Sequence, residues 1–297
     1  MKIKTFIISA ITLFISLYLI IGYHSLKHID KNRIDVSKYI TLVDEVSENK
    51  VQVNWKYVVS IIAVENKNKI KNISDDKIKN TANLFIEKSD NGYKLNSLDN
   101  VLNKLNFTDK EKERVNDYID QLKYFGLTPY RLKEDSKYTK FIEEIKDEAI
   151  KNYKEYKILP SITIAQAILE SSWGESDLAQ IYNNLFGIKA DSSWKGEYVT
   201  LETFEFYDTK IEDKFRVYSN KNQSIKDHAK FLVDNQRYKK YGVFEAKTYI
   251  EQANALQNAG YSTAEDNSGQ KRYAKDLIEL IRQYNLQLID SEIKISD

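Results

Sequence analysis

The sequence predicts a mainly α-helical protein of the α+β class, with one small β-hairpin and one apolar N-terminal segment. Its 297 residues include only 9 glycines and 2 prolines, and none of these lies between residues 22 and 92. Glycine and proline are the residues that most strongly interrupt regular structure, so their absence permits long helices. Side-chain character alternates over residues 198–218, around Asp208-Thr209-Lys210, and this pattern predicts a β-hairpin.

The composition argues against several classes of function for this chain. Lys and Arg number 45 against 44 Asp and Glu, which gives a net charge of +1 and no strong field to attract nucleic acid. The absence of Cys removes thiol catalysis, disulfides and Cys-based metal sites. His24, His28 and His228 do not have the spacing of a metal-binding motif. We therefore expect no nucleic-acid partner, no cofactor and no metal.

The N-terminus carries the pattern of a membrane anchor. Lys2 and Lys4 precede residues 5–23, which contain no charged side chain. A helix of that length spans about 28 Å, close to the hydrocarbon thickness of a bilayer. A cleaved signal peptide would have a shorter apolar region and a small-x-small cleavage site, so an uncleaved signal anchor is favoured. Lysines and an arginine beyond the segment, at 27, 31 and 33, weaken the positive-inside bias.

The rest of the chain divides at the sequence Phe125-Gly126-Leu127-Thr128-Pro129. Before this point, Trp55, Val58, Val59 and Ile62 have helical spacing, and no residue there indicates chemistry. The predicted segments are a cytoplasmic tail (1–4), a transmembrane signal anchor (5–23), a polar stalk (24–49), a helical module (50–128), a larger extracellular domain (129–290) and a tail (291–297).

Glu170 is the most informative carboxylate in the sequence. It lies at the end of a predicted helix whose apolar residues surround most of the helical circumference, as in a buried helix. A turn containing Trp173 and Gly174 follows at once. Desolvation disfavours the charged form of a carboxyl group, so the group stays protonated to higher pH, as a general acid for glycoside cleavage requires. Spacing alone fits an ordinary surface Glu near a helix C-terminus equally well.

Other residues after Glu170 could complete a sugar-binding site. The Asn184 amide could bind sugar hydroxyls, whereas Phe186 is more consistent with packing of its loop. Glu202 shares a strand face with Phe204, because side chains alternate between faces, and a carboxylate beside aromatic rings could form one wall of a sugar site. An ordinary exposed Glu on a hairpin fits that position equally well. We interpret His228 as structural.

Six short motifs occur in one order between residues 138 and 288, and none occurs in the N-terminal half. With these motifs the chain resembles the peptidoglycan β-N-acetylglucosaminidases of glycoside hydrolase family 73, the glucosaminidase domain of bacterial autolysins. The motifs are Ala-Gln-Ala-Ile-Leu-Glu-Ser-Ser-Trp-Gly at 165–174, Asn-Leu-Phe-Gly-Ile-Lys at 184–189, Thr-Leu-Glu at 200–202, Phe-Arg-Val-Tyr at 215–218, the segment 224–232, and Leu-Gln-Asn-Ala-Gly-Tyr-Ser-Thr at 256–263, followed by Tyr273-Ala274.

The resemblance implies a lysozyme-like, mostly helical fold with a small hairpin lobe over the cleft. It also implies hydrolysis of the β-1,4 bond after N-acetylglucosamine in the glycan strands of peptidoglycan. Glu170 matches the family's general acid, and Glu202 matches the hairpin carboxylate. Glu202 could activate water, with inversion, or the substrate's own N-acetyl group could act as the nucleophile, with retention.

The resemblance also indicates substrate-binding residues. Tyr261 and Tyr273 match tyrosines that line the family's site, and we add Trp173, Asn184, Phe186 and Phe204 as candidates. The chain departs from the family at Ala264, where Asp is usual, and residues 265–270 intervene before Tyr273. Asp266 in this longer loop could replace the missing carboxylate.

Two other functions remain open from the sequence. A lytic transglycosylase on the same type of fold would also use one catalytic Glu, and a wall-binding module would use none. If the chain is anchored by residues 5–23, its reach is limited to glycan near the membrane. The anchor helix could also contact a membrane-protein partner.

Overall fold

The computed structural model describes residues 26–90, 92–205 and 209–296, and the side chains of all of these except 203–205, 209–210 and 294–296. The predicted tail 1–4 and anchor 5–23 lie outside the described residues. Within the described ranges, no helix combines the length and the apolar character needed to cross a membrane.

The described chain is mainly helical, with two short antiparallel hairpins, which confirms the predicted α+β class. The strands are β1 (Ile86–Ser89), β2 (Gly92–Leu95), β3 (Tyr198–Glu205) and β4 (Thr209–Arg216). After a 3-10 helix at Lys31–Arg33, the helices are α1 (Val36–Ser47), α2 (Trp55–Glu65), α3 (Asp75–Asn83), α4 (Leu98–Lys104), α5 (Asp109–Gln121), α6 (Lys137–Tyr156), α7 (Pro160–Ser171), α8 (Asp177–Tyr182), α9 (Lys221–Asp234), α10 (Gln236–Lys240), α11 (Tyr249–Asn258), α12 (Tyr273–Gln283) and α13 (Gln287–Ser296).

The chain folds into two compact units. The first comprises the described part of Met1–Val46 together with Asn54–Glu87 and Asn96–Phe125. The second comprises Ser47–Val53, Lys88–Leu95 and Gly126–Asp297.

Helix α2 forms the core of the first unit and packs against α3 and α5. Its N-terminus is capped by Asn54, whose side chain accepts a hydrogen bond from the backbone N–H of Lys56, and all of its residues from Trp55 to Val64 except Tyr57 are buried. The helix predicted around Trp55 is therefore confirmed. The segment 50–128, predicted as helical, also contributes β1 and β2.

Helix α1 lies in the segment that we expected to form a polar stalk. Tyr39, Ile40 and Val43 of this helix are buried, with no more than 2% of each side chain exposed. From Val36 onward the segment is therefore packed rather than extended. Its apolar residues recur at helical spacing, but they are diluted among charged residues, so composition alone suggested a stalk.

Helix α7 is the central helix of the second unit and packs against α6, α11, α12 and α13. Ser161 in its first turn donates from its backbone N–H and its hydroxyl to the carboxylate of Asp290, at 3.0 and 2.5 Å. Asp290 belongs to α13, which continues to Ser296, with Ser291 and Ile293 buried. Residues 291–296 of the segment that we expected to form a tail are thus helical, and Ser291 and Ile293 belong to the core.

Strands β3 and β4 form the hairpin that the alternating pattern predicted. They pair antiparallel in a register that places Glu202 opposite Glu212 and Tyr198 opposite Arg216. Residues 206–208 at the tip lie outside the description. The base of the hairpin is joined to the preceding loop by backbone hydrogen bonds from Arg216 to Ile188 and from Ala190 to Lys214, so the hairpin is fixed to the loop that carries Phe186.

Candidate active site

The end of α7 determines where the Glu170 side chain lies. The helix stops at Ser171, and Ser172, Trp173 and Gly174 all have left-handed φ values, of 51°, 67° and 74°. A Cβ at Gly174 would lie 2.7 Å from a ring carbon of Phe141, so glycine is required there for space as well as for conformation. Because the helix ends one residue after Glu170, no further helical turn covers this carboxylate.

The Glu170 side chain lines a cavity of about 410 Å³ in the second unit. Three stretches of chain supply most of the wall: the loop at 186–191, the end of α9 with α10, and the turn after α11. In the described part of the chain, no group of three or more His, Asp or Glu is arranged to hold a metal ion. The residues that line the cavity are Glu170, Phe186, Gly187, Ile188, Lys189, Asp191, Arg216, Phe231, Arg237, Tyr238, Tyr261 and Ser262.

The Glu170 carboxyl group is partly desolvated by the protein around it, although its side chain is accessible from the cavity. This desolvation raises the pKa of Glu170, and a hydrogen bond from Tyr273 opposes the rise. The Tyr273 hydroxyl donates to Oε1 of Glu170 at 3.2 Å and accepts a hydrogen bond from Nε2 of Gln166 at 3.0 Å. Both Gln166 and Tyr273 are buried. The fixed Tyr273 hydroxyl therefore orients the carboxyl group of Glu170, and the raised pKa of this group favours its protonated form.

An aromatic wall continues from Tyr273. The Tyr261 ring stacks on the Tyr273 ring, with centroids 5.2 Å apart and planes at 23°. The Tyr261 hydroxyl lies 3.1 Å from Nε2 of His228, whose ring stacks on Phe186 at 3.9 Å and 9°. Burial lowers the pKa of His228 to about 3, so its ring is neutral. His228 lies behind the wall and supports it, as its structural interpretation predicted.

Arg216 is a lining cation that is already paired within the protein. Its guanidinium lies 2.7 Å from the carboxylate of Asp227 and 3.8 Å from that of Asp191. It also lies 4.5 Å from the centroid of the Trp194 ring. Arg216 occurs in the Phe-Arg-Val-Tyr motif, to which the sequence analysis gave no role.

Arg237 is the lining cation that sequence reasoning missed entirely, because it lies outside every motif. Its guanidinium donates to the Tyr238 hydroxyl at 2.6 Å and to the Gly260 carbonyl at 3.3 Å. It lies 4.7 Å from the centroid of the Tyr238 ring. Only the folded chain brings this residue to the cavity that contains Glu170.

We predicted that Asn184 and Trp173 contact sugar, but both side chains instead make contacts within the protein. Asn184 is 1% exposed, and its amide donates to the carbonyls of Ile188 and Arg216 and accepts from the Ile188 N–H. The Trp173 ring packs edge-on against Tyr138 and Tyr284, at 4.7 and 4.5 Å, and does not line the cavity. Asn184 thus shapes the loop that carries Phe186, and Trp173 anchors the turn after Glu170.

Three further candidates lie away from the described lining of the cavity. Glu202 is exposed on β3, and its role as a second carboxylate stays a prediction. The backbone of Phe204 pairs with Lys210 in the hairpin, but its side chain lies outside the description. Asp266 accepts hydrogen bonds from the Ser268 hydroxyl and N–H and from the Gln270 N–H, which lower the pKa of Asp266. Asp266 therefore folds the inserted loop on itself.

Comparisons with known proteins match the part of the chain that contains this cavity. Residues 146–286 match the model of the glucosaminidase family, described as mannosyl-glycoprotein endo-beta-N-acetylglucosaminidase. Exo-glucosaminidase LytG of Bacillus subtilis (strain 168) is 44% identical over 156 residues, which are 50% of this chain and 52% of LytG. Peptidoglycan hydrolase FlgJ of Vibrio parahaemolyticus is 43% identical over 104 residues, which are 33% of this chain and 34% of FlgJ.

The chain thus spans about half the length of LytG and a third of FlgJ. Among solved structures, the catalytic domain of the autolysin Auto from Listeria monocytogenes is 34% identical, with 62% of this chain and 98% of that chain covered and a TM-score of 0.46. Through the domain formed by residues 146–286, the chain belongs to the glucosaminidase family.

Proposed function

We propose that this protein is a peptidoglycan hydrolase that cleaves the β-1,4 bond after N-acetylglucosamine in cell-wall glycan strands, with Glu170 as the general acid. The observation that carries the proposal is the Glu170 carboxyl group, which is partly desolvated, fixed by Tyr273 and open to a cavity. The family of the surrounding domain supports the substrate class, since its relatives are named as an exo-glucosaminidase and a peptidoglycan hydrolase.

The geometry suits proton transfer to the leaving oxygen. The Tyr273 hydroxyl occupies Oε1 of Glu170, so the proton is delivered from Oε2. As that proton reaches the glycosidic oxygen, the bond from this oxygen to the anomeric carbon breaks and positive charge develops on the sugar ring. Addition of water at the anomeric carbon, with transfer of one proton from that water to an assisting base, completes the hydrolysis.

The group that assists Glu170 on the other face of the sugar is the second part of the proposal. Glu202 on β3 would act as a base that activates water, and this would give a product of inverted configuration. Participation of the substrate's N-acetyl group would retain the configuration. Proton NMR of the product immediately after cleavage distinguishes the two, and loss of activity in Glu202→Gln together with inversion would assign the role to Glu202.

The assay of the proposal uses residues 26–297 with purified peptidoglycan. We expect release of reducing N-acetylglucosamine ends, and a loss of about 10²- to 10⁴-fold in Glu170→Gln, which keeps size and polarity but has no transferable proton. Glu175→Gln is the matched control, because Glu175 lies on the same turn and forms an exposed ion pair with Lys137. Full activity of Glu170→Gln with unchanged thermal unfolding would overturn the assignment.

The same assay separates the two alternative functions. A lytic transglycosylase would leave anhydro-muramic ends, which mass spectrometry distinguishes from the reducing ends of hydrolysis. A wall-binding module would bind the glycan and release no ends. Neither the described cavity nor the family of the domain favours these alternatives over hydrolysis.

The proposal includes a location at the membrane, with the domain facing the cell wall. It is supported by the uncharged segment 5–23 and by Lys2 and Lys4 before it. Membrane fractionation of the full chain and of a form lacking residues 1–25 tests the anchor, and protease treatment of intact cells tests the orientation. Crosslinking from residues 5–23 tests whether the anchor contacts a membrane-protein partner.

A further inference from the structure

Arg237 is held in a defined orientation at the wall of the cavity that contains Glu170. It is the second residue of α10, and the next residue, Tyr238, is completely buried. The guanidinium lies over the Tyr238 ring and donates to the Tyr238 hydroxyl and the Gly260 carbonyl. Both acceptors are neutral, so these contacts orient the positive charge without neutralising it.

The other two cations of the cavity wall, Arg216 and Lys189, each form an ion pair with a carboxylate of the protein. Arg216 is paired with Asp227 at 2.7 Å, and Lys189 is paired with Asp213 at 2.5 Å. No carboxylate in the described ranges forms an ion pair with Arg237. Glu170 lines the same cavity, but its hydrogen bond comes from Tyr273. Arg237 is therefore the lining cation that retains both charge and hydrogen-bonding capacity for a ligand.

A guanidinium has five N–H donors in a planar fork, and two are used by Tyr238 and Gly260. The remaining donors suit a carboxylate, which guanidinium binds with directional, charge-assisted hydrogen bonds. Because the protein already fixes the group, little side-chain entropy is lost when a ligand binds. A neutral sugar hydroxyl would not require a cation of this kind.

We propose that Arg237 is a specificity-determining residue that binds a carboxylate of the glycan substrate next to the glycosidic oxygen that Glu170 protonates. This inference rests on the proposed function. In peptidoglycan the carboxylate could belong to the lactyl ether of a muramic acid that carries no peptide, or to the peptide itself where the lactyl carboxyl is joined to it as an amide. A chitin-type chain of N-acetylglucosamine has neither group, so Arg237 would let the cavity discriminate between two glycans with the same β-1,4 linkage.

The test compares kcat/KM of the wild-type protein and Arg237→Gln on three substrates. These are intact peptidoglycan, glycan strands freed of peptide, and the same strands after reduction of the lactyl carboxylates to alcohols. We expect Arg237→Gln to lose about tenfold or more on the substrate that carries the bound carboxylate, in line with charge-assisted hydrogen bonds. A loss that is largest on peptide-free strands assigns the lactyl carboxylate, which removal of the peptide exposes, and a loss confined to intact peptidoglycan assigns the peptide carboxylate.

Carboxylate reduction supplies the coupling test. If the lactyl group is the ligand, reduction should lower the wild-type kcat/KM to the level of Arg237→Gln and should leave that variant unchanged within about twofold, as for two partners of one interaction. Lys239→Gln is the matched control, since it removes one charge from an exposed position of the same helix. It should retain wild-type kcat/KM on every substrate.

Equal losses in Arg237→Gln on all three substrates, or no loss on any, would overturn the inference. A wild-type protein that cleaves none of them would instead overturn the proposed function. Binding then tests Arg237 separately: in a Glu170→Gln background, Arg237→Gln should weaken binding of carboxylate-bearing strands about tenfold and leave binding of reduced strands unchanged. Unchanged binding of both would reject the role of Arg237. Thermal unfolding of each variant verifies that the domain remains folded.

Discussion

The Tyr273 hydroxyl donates a hydrogen bond of 3.2 Å to Oε1 of Glu170, so a buried side chain of α12 orients the carboxyl group at the end of α7. Partial desolvation by the surrounding protein raises the pKa of Glu170, and this hydrogen bond opposes the rise because it stabilises the ionised form. The contact therefore has two separable effects, one on the pKa of Glu170 and one on its orientation.

Replacement of Tyr273 by Phe should separate these effects. Without the hydroxyl, the pKa of Glu170 should rise further, and a general acid works only while it is protonated. The alkaline limb of the pH–rate profile should therefore move to higher pH, while kcat falls about tenfold because the carboxyl group is less well oriented. The measurement is kcat and kcat/KM from pH 4 to 9, at roughly half-unit intervals.

Tyr241→Phe provides the control for that experiment, because Tyr241 is 48% exposed and does not line the cavity. Its pH profile should match that of the wild-type protein. An alkaline limb that stays in place or moves to lower pH in Tyr273→Phe would contradict the assigned role.

Buried His228 should make stability depend on pH. Its pKa is lowered from 6.5 to about 3 in the folded protein, so below pH 6.5 the unfolded chain binds a proton that the folded chain does not. Stability from this group is therefore complete above the unfolded pKa and is lost as pH falls toward the folded pKa. From pH 7 to pH 5 the free energy of unfolding should decrease by about 2 kcal/mol through this group.

Urea unfolding at the two pH values measures this effect within each variant. His228→Gln should lose about 2 kcal/mol of the wild-type pH dependence, whatever its absolute stability. His28→Gln, at an exposed position, should keep the wild-type dependence. Identical pH dependence in His228→Gln and the wild-type protein would show that His228 takes up its proton equally in both states.

Replacement of Asn184 by Ala should destabilise the domain. The buried amide makes hydrogen bonds to Ile188 and Arg216, and its loss would leave their backbone groups without these partners. We expect the free energy of unfolding to fall by about 2–4 kcal/mol. Asn222→Ala, on the exposed side of α9, should change it by no more than about 0.5 kcal/mol. If Asn184→Ala unfolded like wild type but bound glycan poorly, Asn184 would be a sugar ligand instead.

Asp290 should be required for the stability of α7. It accepts hydrogen bonds from the backbone N–H and hydroxyl of Ser161, and both residues are buried. Asp290→Ala should lower the free energy of unfolding by about 2–3 kcal/mol, because two buried donors lose their partner. Chemical denaturation measures this, with exposed Asp234→Ala as the control. An Asp290→Ala protein as stable as the control would show that α13 does not support α7.

Local sequence patterns predicted those helices and strands that are determined by the periodicity of neighbouring residues. Helix α2 follows from apolar spacing, and the β3–β4 hairpin follows from alternation, since both periodicities are imposed by backbone geometry. Glu170 could be selected because an apolar helix ends beside it. The expected stalk and C-terminal tail were misjudged because burial of Tyr39 and Ile293 depends on residues far away in sequence.

By itself, the sequence determined the helical class, the candidate acid Glu170 and its resemblance to a family, because motif order and periodicity are properties of the linear chain. Only the tertiary structure decided that Tyr273 orients Glu170 and that Arg237 lines the same cavity. It also decided that Asn184 supports the loop before the hairpin and that Trp173 anchors the turn after Glu170. Those relationships join residues from separate helices and turns, and packing of those elements, rather than any local preference, sets the distances between them.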